Sequence, residues 1–135
     1  MALGDLLKRM SNGIDLNAEF YVKGEQRAIP MNWEESLLRI AQESLTNTIK
    51  HANARNFRAT LNIGIEKVEL QLVDDGRGFE PQAEHEGFGL VGMKERVDQI
   101  GGQFILRAKV GQGTEILIVL NNPTSPGLEN KNEQG

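Results

Sequence analysis

Trp33-Glu34-Glu35-Ser36-Leu37-Leu38-Arg39-Ile40-Ala41-Gln42-Glu43-Ser44-Leu45-Thr46-Asn47-Thr48-Ile49-Lys50-His51-Ala52 is the stretch on which the fold turns. Its apolar residues Leu37, Leu38, Ala41, Leu45, Ile49 and Ala52 recur at helical steps, which gathers them on one face of a helix. An amphipathic helix of this length has to lay its stripe on a second layer, and the residues that follow supply one. Phe57, Ala59, Leu61, Ile63 and Ile65 alternate with polar or small residues, and Val68, Leu70 and Leu72 repeat the pattern after a Glu66-Lys67 turn. Period-two alternation predicts two strands of a hairpin with one buried face.

Working outward, Asp15 to Lys23 reads as a further strand. Before it, Leu3, Leu6, Leu7 and Met10 keep helical spacing until Ser11-Asn12-Gly13 breaks it, which predicts a docked helical stub over residues 1–12. After the hairpin, Asp74 to Glu86 loses all periodicity and collects glycine, proline and acidic side chains, so a long mobile loop is expected there. Met93, Val97 and Ile100 mark a short helix from Leu90, ended by Gly101-Gly102. Gln103 to Lys109 and Thr114 to Leu120 make a second hairpin around Val110-Gly111-Gln112-Gly113. The tail 121–135, rich in Asn, Pro, Ser, Gly and charge, is expected to be disordered. The order of elements predicts an α/β sandwich in which a mixed, mostly antiparallel sheet carries helices on one face, with residues 13–120 as the domain proper.

Composition narrows the function. With 19 acidic and 15 basic side chains the chain carries a net charge of -4 and shows no basic run, which argues against a nucleic-acid partner. The absence of cysteine excludes disulfides, thiolate metal sites and cysteine nucleophiles. No apolar run approaches the roughly 20 residues needed to span a bilayer, so no membrane contact is expected of this segment.

Four features can carry chemistry. On the long helix, Glu43, Asn47 and Lys50 fall on the side opposite the apolar stripe, with His51 beside them. A carboxamide oxygen suits Mg²⁺, a lysine offsets phosphate charge, and a glutamate can orient or deprotonate an attacking group. The same residues also fit a plain solvated helix face. Second, Asp74-Asp75-Gly76-Arg77-Gly78-Phe79 places carboxylates at a strand end before glycines, where a flat ring bearing an exocyclic amine can approach; an ordinary Asp-Gly turn fits too. Third, Gly87-Phe88-Gly89-Leu90-Val91-Gly92 opens a helix. It follows a polar loop rather than a buried strand, which excludes a dinucleotide-binding βαβ unit, yet exposed amides at a helix start can seat phosphate. A hinge without ligand is the alternative. Fourth, Gly111-Gln112-Gly113-Thr114 turns the last hairpin, and its hydroxyl can meet a ring nitrogen or a water. No GxxxxGK[ST] phosphate loop occurs.

In this order the four features resemble the ATP-binding domain of the GHKL superfamily, which includes DNA gyrase, mismatch-repair ATPases and histidine kinases. RIAQESLTNTIKHANA is similar to the N box, DDGRGF to the G1 box, GFGLVGMKERV to the lid and its helix, and GQGTEILIVL to the closing glycine box. The wording is most similar to bacterial sensor histidine kinases that signal to LuxR/NarL-type response regulators. The resemblance implies the Bergerat ATP-binding fold, with ATP and Mg²⁺ between the helix layer and a mobile lid. It implies Asn47 as the Mg²⁺ ligand and Glu43 as the acid assisting transfer, with Lys50 and His51 near the phosphates. Asp75 would bind the adenine amine, supported by Thr114, and Gly76, Gly78 and Phe79 would lie against the base. Gly87, Gly89, Leu90, Gly92 and Met93 would form the lid side. Phe88 stands where the family more often has histidine, which removes an imidazole from the phosphates.

The implied activity is transfer of the ATP γ-phosphoryl to a histidine on a separate dimerisation domain, and from there to the response regulator. His51 lies on the nucleotide helix and His85 in the lid loop, so neither is a credible acceptor. The expectation is therefore a cytoplasmic, monomeric catalytic domain that does not phosphorylate itself, its acceptor lying before Met1 in a parent that can be membrane-anchored. A stand-alone ATP-dependent regulator or serine kinase of the anti-sigma-factor type is the alternative.

Overall fold

The computed structural model describes residues 3–25, 27–77, 89–108 and 110–121. Chain order is α1 (Leu3–Ser11), β1 (Asn17–Gly24), α2 (Met31–Asn47), a π turn (Thr48–Ala52), β2 (Asn56–Ile63), β3 (Lys67–Asp74), α3 (Leu90–Gln99), β4 (Gln103–Ala108) and β5 (Thr114–Asn121). The strands form one sheet in the order β1-β2-β3-β5-β4. Only β1 and β2 run parallel; the other three pairings are antiparallel. The mixed sheet covered by helices is the expected α/β sandwich.

Alternation sets which face is buried. Phe57, Ala59, Leu61 and Ile63 of β2, Val68, Leu70 and Leu72 of β3, and Ile116, Ile118 and Leu120 of β5 are all buried on the face that meets the helices. The opposite face is polar over much of its width, with ion pairs Arg58–Glu19 and Arg107–Glu115. The helix layer supplies Leu3 and Leu7 from α1, Trp33, Leu37, Ile40, Ala41 and Leu45 from α2, and Leu90, Met93 and Val97 from α3.

The long helix differs from expectation at both ends. It starts at Met31, because Pro30 in an extended conformation (φ -54°, ψ 142°) halts the preceding chain while its carbonyl accepts from the Glu34 amide at 3.0 Å. At its other end the ladder widens into the π turn, which closes on Asn53 in a left-handed conformation. Its buried face also takes in Ile40, Ser44 and Thr48, while Leu38 and Ile49 are only partly buried. The α3 helix packs beside α2, and Thr48 turns toward the sheet end that carries Asp74. The strand expected from Asp15 begins at Asn17, and the one expected to reach Ile65 ends at Ile63. Residues 78–88 of the loop expected after β3, Lys109, and the tail from 122 lie outside the described residues.

Candidate nucleotide site

Where the C-terminal ends of α2 and β3 meet the start of β5, a hydrogen-bonded group forms around Asp74 that includes two of the expected site residues, Gly76 and Thr114. Thr48, buried at the α2 junction, has its Oγ1 3.1 Å from the Ser44 carbonyl and 3.1 Å from Asp74 Oδ2. Asp74 Oδ1 accepts from the Gly76 amide at 2.8 Å, and the Thr114 amide, opposite in register, also donates to the carboxylate. Burial, the largest influence, pushes the Asp74 pKa above its ordinary value of 3.8; the Gly76 and Thr48 hydrogen bonds oppose the rise and Asp75 adds to it. Gly113 admits no side chain here: its φ is +87° and a Cβ would lie 2.3 Å from the Asp74 carbonyl oxygen. Beside this group, at the end of the sheet, opens a cleft of about 540 Å³ lined by Val73, Asp74, Leu106, Arg107, Ala108, Gln112, Gly113, Thr114 and Glu115, with no α2 residue among those that line it.

Asp75 is placed differently from expectation. Its side chain leaves the opposite face of β3, where Oδ1 accepts from the Arg55 and Asn56 amides, both at 2.9 Å, and Oδ2 accepts from Asn56 Nδ2 at 2.8 Å. The Asn56 hydrogen bonds hold its pKa below the ordinary 3.8. Both oxygens are thus engaged in closing the turn before β2, and Asp74 is the carboxylate that points toward the cleft. The signal for this was the alternation itself: Val68, Leu70 and Leu72 face inward, so 74 shares their face and 75 does not.

On α2, Glu43 and Lys50 are exposed and Asn47 is half-buried. Lys50 lies within the π turn, so its direction departs from the 100°-per-residue position that the spacing predicts. The His51 side chain, Gly78, Phe79, Gly87 and Phe88 lie outside the described residues. Gly89 begins α3 with φ +68°, and a Cβ there would sit 3.1 Å from Glu43 Oε2, which puts the first described residue of the lid side directly against the candidate acid. Leu90 and Met93 are buried in the core, and Gly92 is exposed. Gly76 is buried behind Asp74.

Among the described residues no three His, Cys, Asp or Glu side chains gather to hold a metal alone. The carboxamide of Asn47 nevertheless fits Mg²⁺, which binds through one or two protein oxygens and completes its shell with water and phosphate.

A comparison with family models matches residues 33–124 to the histidine kinase-, DNA gyrase B-, and HSP90-like ATPases. The chain belongs to this family. Among its relatives, the histidine-protein kinase/phosphatase DegS of Brevibacillus brevis is 40% identical over 107 residues, covering 78% of this chain and 27% of the relative. The sensor histidine kinase LiaS of Bacillus subtilis is 33% identical over 82% of the chain and 30% of the relative, and UhpB of Salmonella typhimurium is 33% identical over 88% and 24%. The chain thus spans about a quarter to a third of the length of these curated relatives. In fold it matches the ATP-binding domain of PrrB from Mycobacterium tuberculosis, with a TM-score of 0.66 at 20% identity over 90% of this chain and 94% of that one. Acinetobacter baumannii AdeS gives 0.69 at 13% over 89% and 62%. Among the described residues no helix is long and apolar enough to cross a membrane. This family member is therefore homologous to the catalytic, ATP-binding domains of sensor kinases.

Proposed function

We propose that this domain binds Mg²⁺-ATP and passes its γ-phosphoryl to a histidine on a separate dimerisation domain, which then serves a LuxR/NarL-type response regulator in the cytoplasm. The observation that carries the reading is Asp74: a carboxylate aimed into the cleft, braced by Thr48 from α2 and by the amides of Gly76 and Thr114. An inward carboxylate of this kind accepts a hydrogen bond from the adenine amine, the role the resemblance gave to Asp75. From adenine the phosphates run toward the C-terminal part of α2. There Asn47 would hold Mg²⁺, which would neutralise phosphate charge, and Lys50 would add a cation. Glu43 beside Gly89 receives the proton of the attacking imidazole as the new N–P bond forms and the bond to the β-phosphate oxygen breaks, leaving ADP.

Incubating the chain with radiolabelled ATP and a dimerisation domain supplied in trans tests this. Acid-labile, base-stable label on the acceptor is expected, and label on serine or none overturns it. Glu43→Gln should retain ATP binding and lose at least about 100-fold in transfer rate, the scale of general-base catalysis.

A further inference from the structure

The turn between α1 and β1 holds the sequence's one Asn-Gly pair, Asn12-Gly13. Glycine leaves its own backbone nitrogen unshielded, and a nitrogen so placed can attack the preceding carboxamide to close a succinimide ring. In a folded chain that reaction depends on what holds the two groups. Asn12 and Gly13 are both exposed and lie beyond the last residue of α1. Gly13 has φ +80°, and nothing lies within 4 Å of where its Cβ would sit. The amides on either side are engaged, Asn12 with the Arg9 carbonyl at 3.4 Å and Ile14 with the Ser11 carbonyl at 3.1 Å. Among the described residues neither the Gly13 amide nor the Asn12 carboxamide has a hydrogen-bond partner. Asn17, Asn32, Asn47, Asn56 and Asn62 lie in helices or strands, and Asn53 precedes Ala54, whose Cβ shields the nitrogen.

Asp75-Gly76 could close the same ring, and there the structure opposes it. The Gly76 amide donates to Asp74 Oδ1 at 2.8 Å, and the Asp75 carboxylate accepts from the Arg55 and Asn56 amides and from Asn56 Nδ2. We propose that Asn12 is a self-modification site, converted by solvent-driven deamidation to aspartate and isoaspartate, while Asp75-Gly76 is held inert by its hydrogen bonds. Hydroxide removes the Gly13 amide proton, and the nitrogen bonds to Asn12 Cγ. The bond from Cγ to the side-chain nitrogen breaks, and that nitrogen takes a proton from water and leaves as ammonia. Water then opens the ring. Attack at Cγ gives aspartate, and attack at the Asn12 main-chain carbonyl carbon gives isoaspartate, whose main chain is one carbon longer. Either product sets a carboxylate just past Lys8 and Arg9, at the negative end of the α1 dipole. The change falls on the connection that ties a core helix, through Leu3 and Leu7, to the edge strand β1.

The test ages the full chain at mildly alkaline pH and maps its peptides by mass. The peptide that holds Asn12 should gain the mass of exchanging NH₂ for OH, at a rate first order in hydroxide, with isoaspartate and aspartate both resolved by fragmentation. Asn12→Gln, which would have to close a larger ring, should stay unchanged over the same time. Asp75→Asn supplies a second Asn-Gly pair in the same chain, so identical chemistry is compared with and without hydrogen bonds. Folded, position 12 should react at least about tenfold faster than position 75, the scale of freeing a held amide. In urea the two rates should converge to within about twofold, since neither amide is then held. Equal rates in the folded variant, or a position 75 that reacts first, overturn the proposal. So does a product at position 12 that contains no isoaspartate. So, too, does an Asn12 that stays intact in the folded chain over a time in which the urea-unfolded chain converts it.

Discussion

Asp74 and Asp75 are neighbours with opposite environments, and their titrations should oppose each other. Burial raises Asp74 above 3.8, so in the window from 3.8 up to its raised value the folded state holds more protons than the unfolded chain, and stability falls as pH rises. Asp75 is lowered: its contribution is present above 3.8 and is lost as pH falls through its depressed value. Asp74→Asn should therefore leave stability at pH 7 unchanged or slightly increased. Its amide oxygen must face the Gly76 and Thr114 amides, so its NH₂ meets the adenine amine donor to donor, and ATP affinity should drop at least about tenfold. Asp75→Asn should do the reverse, keeping ATP affinity while losing about 1 kcal/mol of stability, a figure kept small because the carboxylate is exposed. Calorimetric titration with ATP and urea unfolding of both variants check this; equal affinity losses would return the adenine contact to Asp75. In the wild type, ATP affinity should weaken as pH falls through the raised Asp74 value, since the ionised carboxylate is the stronger acceptor for the amine and the protonated form turns one oxygen into a donor.

At the level of elements, period decided most of what could be read. The helix over 33–52, both hairpins and the short helix from Leu90 follow from apolar spacing, because burial on one face is a property of local sequence. What spacing leaves out is non-local. The parallel pairing of β1 with β2 matches Asn17 to Asn56 across 39 residues, and no local pattern specifies it. The π turn at Thr48 to Ala52, which begins at the residue that reaches Asp74, moves Lys50 off its expected bearing. The stub α1 shows the same limit. Its spacing was legible, yet Leu3 and Leu7 are fully buried against β1 and α2, so it is part of the core. Leu7→Ala should accordingly cost about 2–5 kcal/mol in urea unfolding, as for any buried leucine. A loss under about 1 kcal/mol would show instead that α1 only rests on the surface.

For the molecule as a whole, the proposed ligand bridges layers that otherwise meet only through the core. Adenine would touch β3 and β5 at Asp74 and Thr114, the phosphates α2 at Asn47, and the far side α3 at Gly89. A ligand bound by the folded state alone stabilises it by RT ln(1 + [L]/Kd), about 2.7 kcal/mol at a hundredfold excess over Kd. For a domain of this size that corresponds to roughly 10 °C in melting temperature. Because no described cluster of acidic, histidine or cysteine side chains holds a cation by itself, Mg²⁺ without ATP should leave the melting temperature unmoved. ATP without Mg²⁺ should raise it only in part, since Asn47 then meets uncompensated phosphate charge. Asn47→Ala should make the ATP shift the same with and without Mg²⁺. A Mg²⁺-dependent increment that survives in Asn47→Ala would place the metal on other residues, while the Asp74 part of the site would stand.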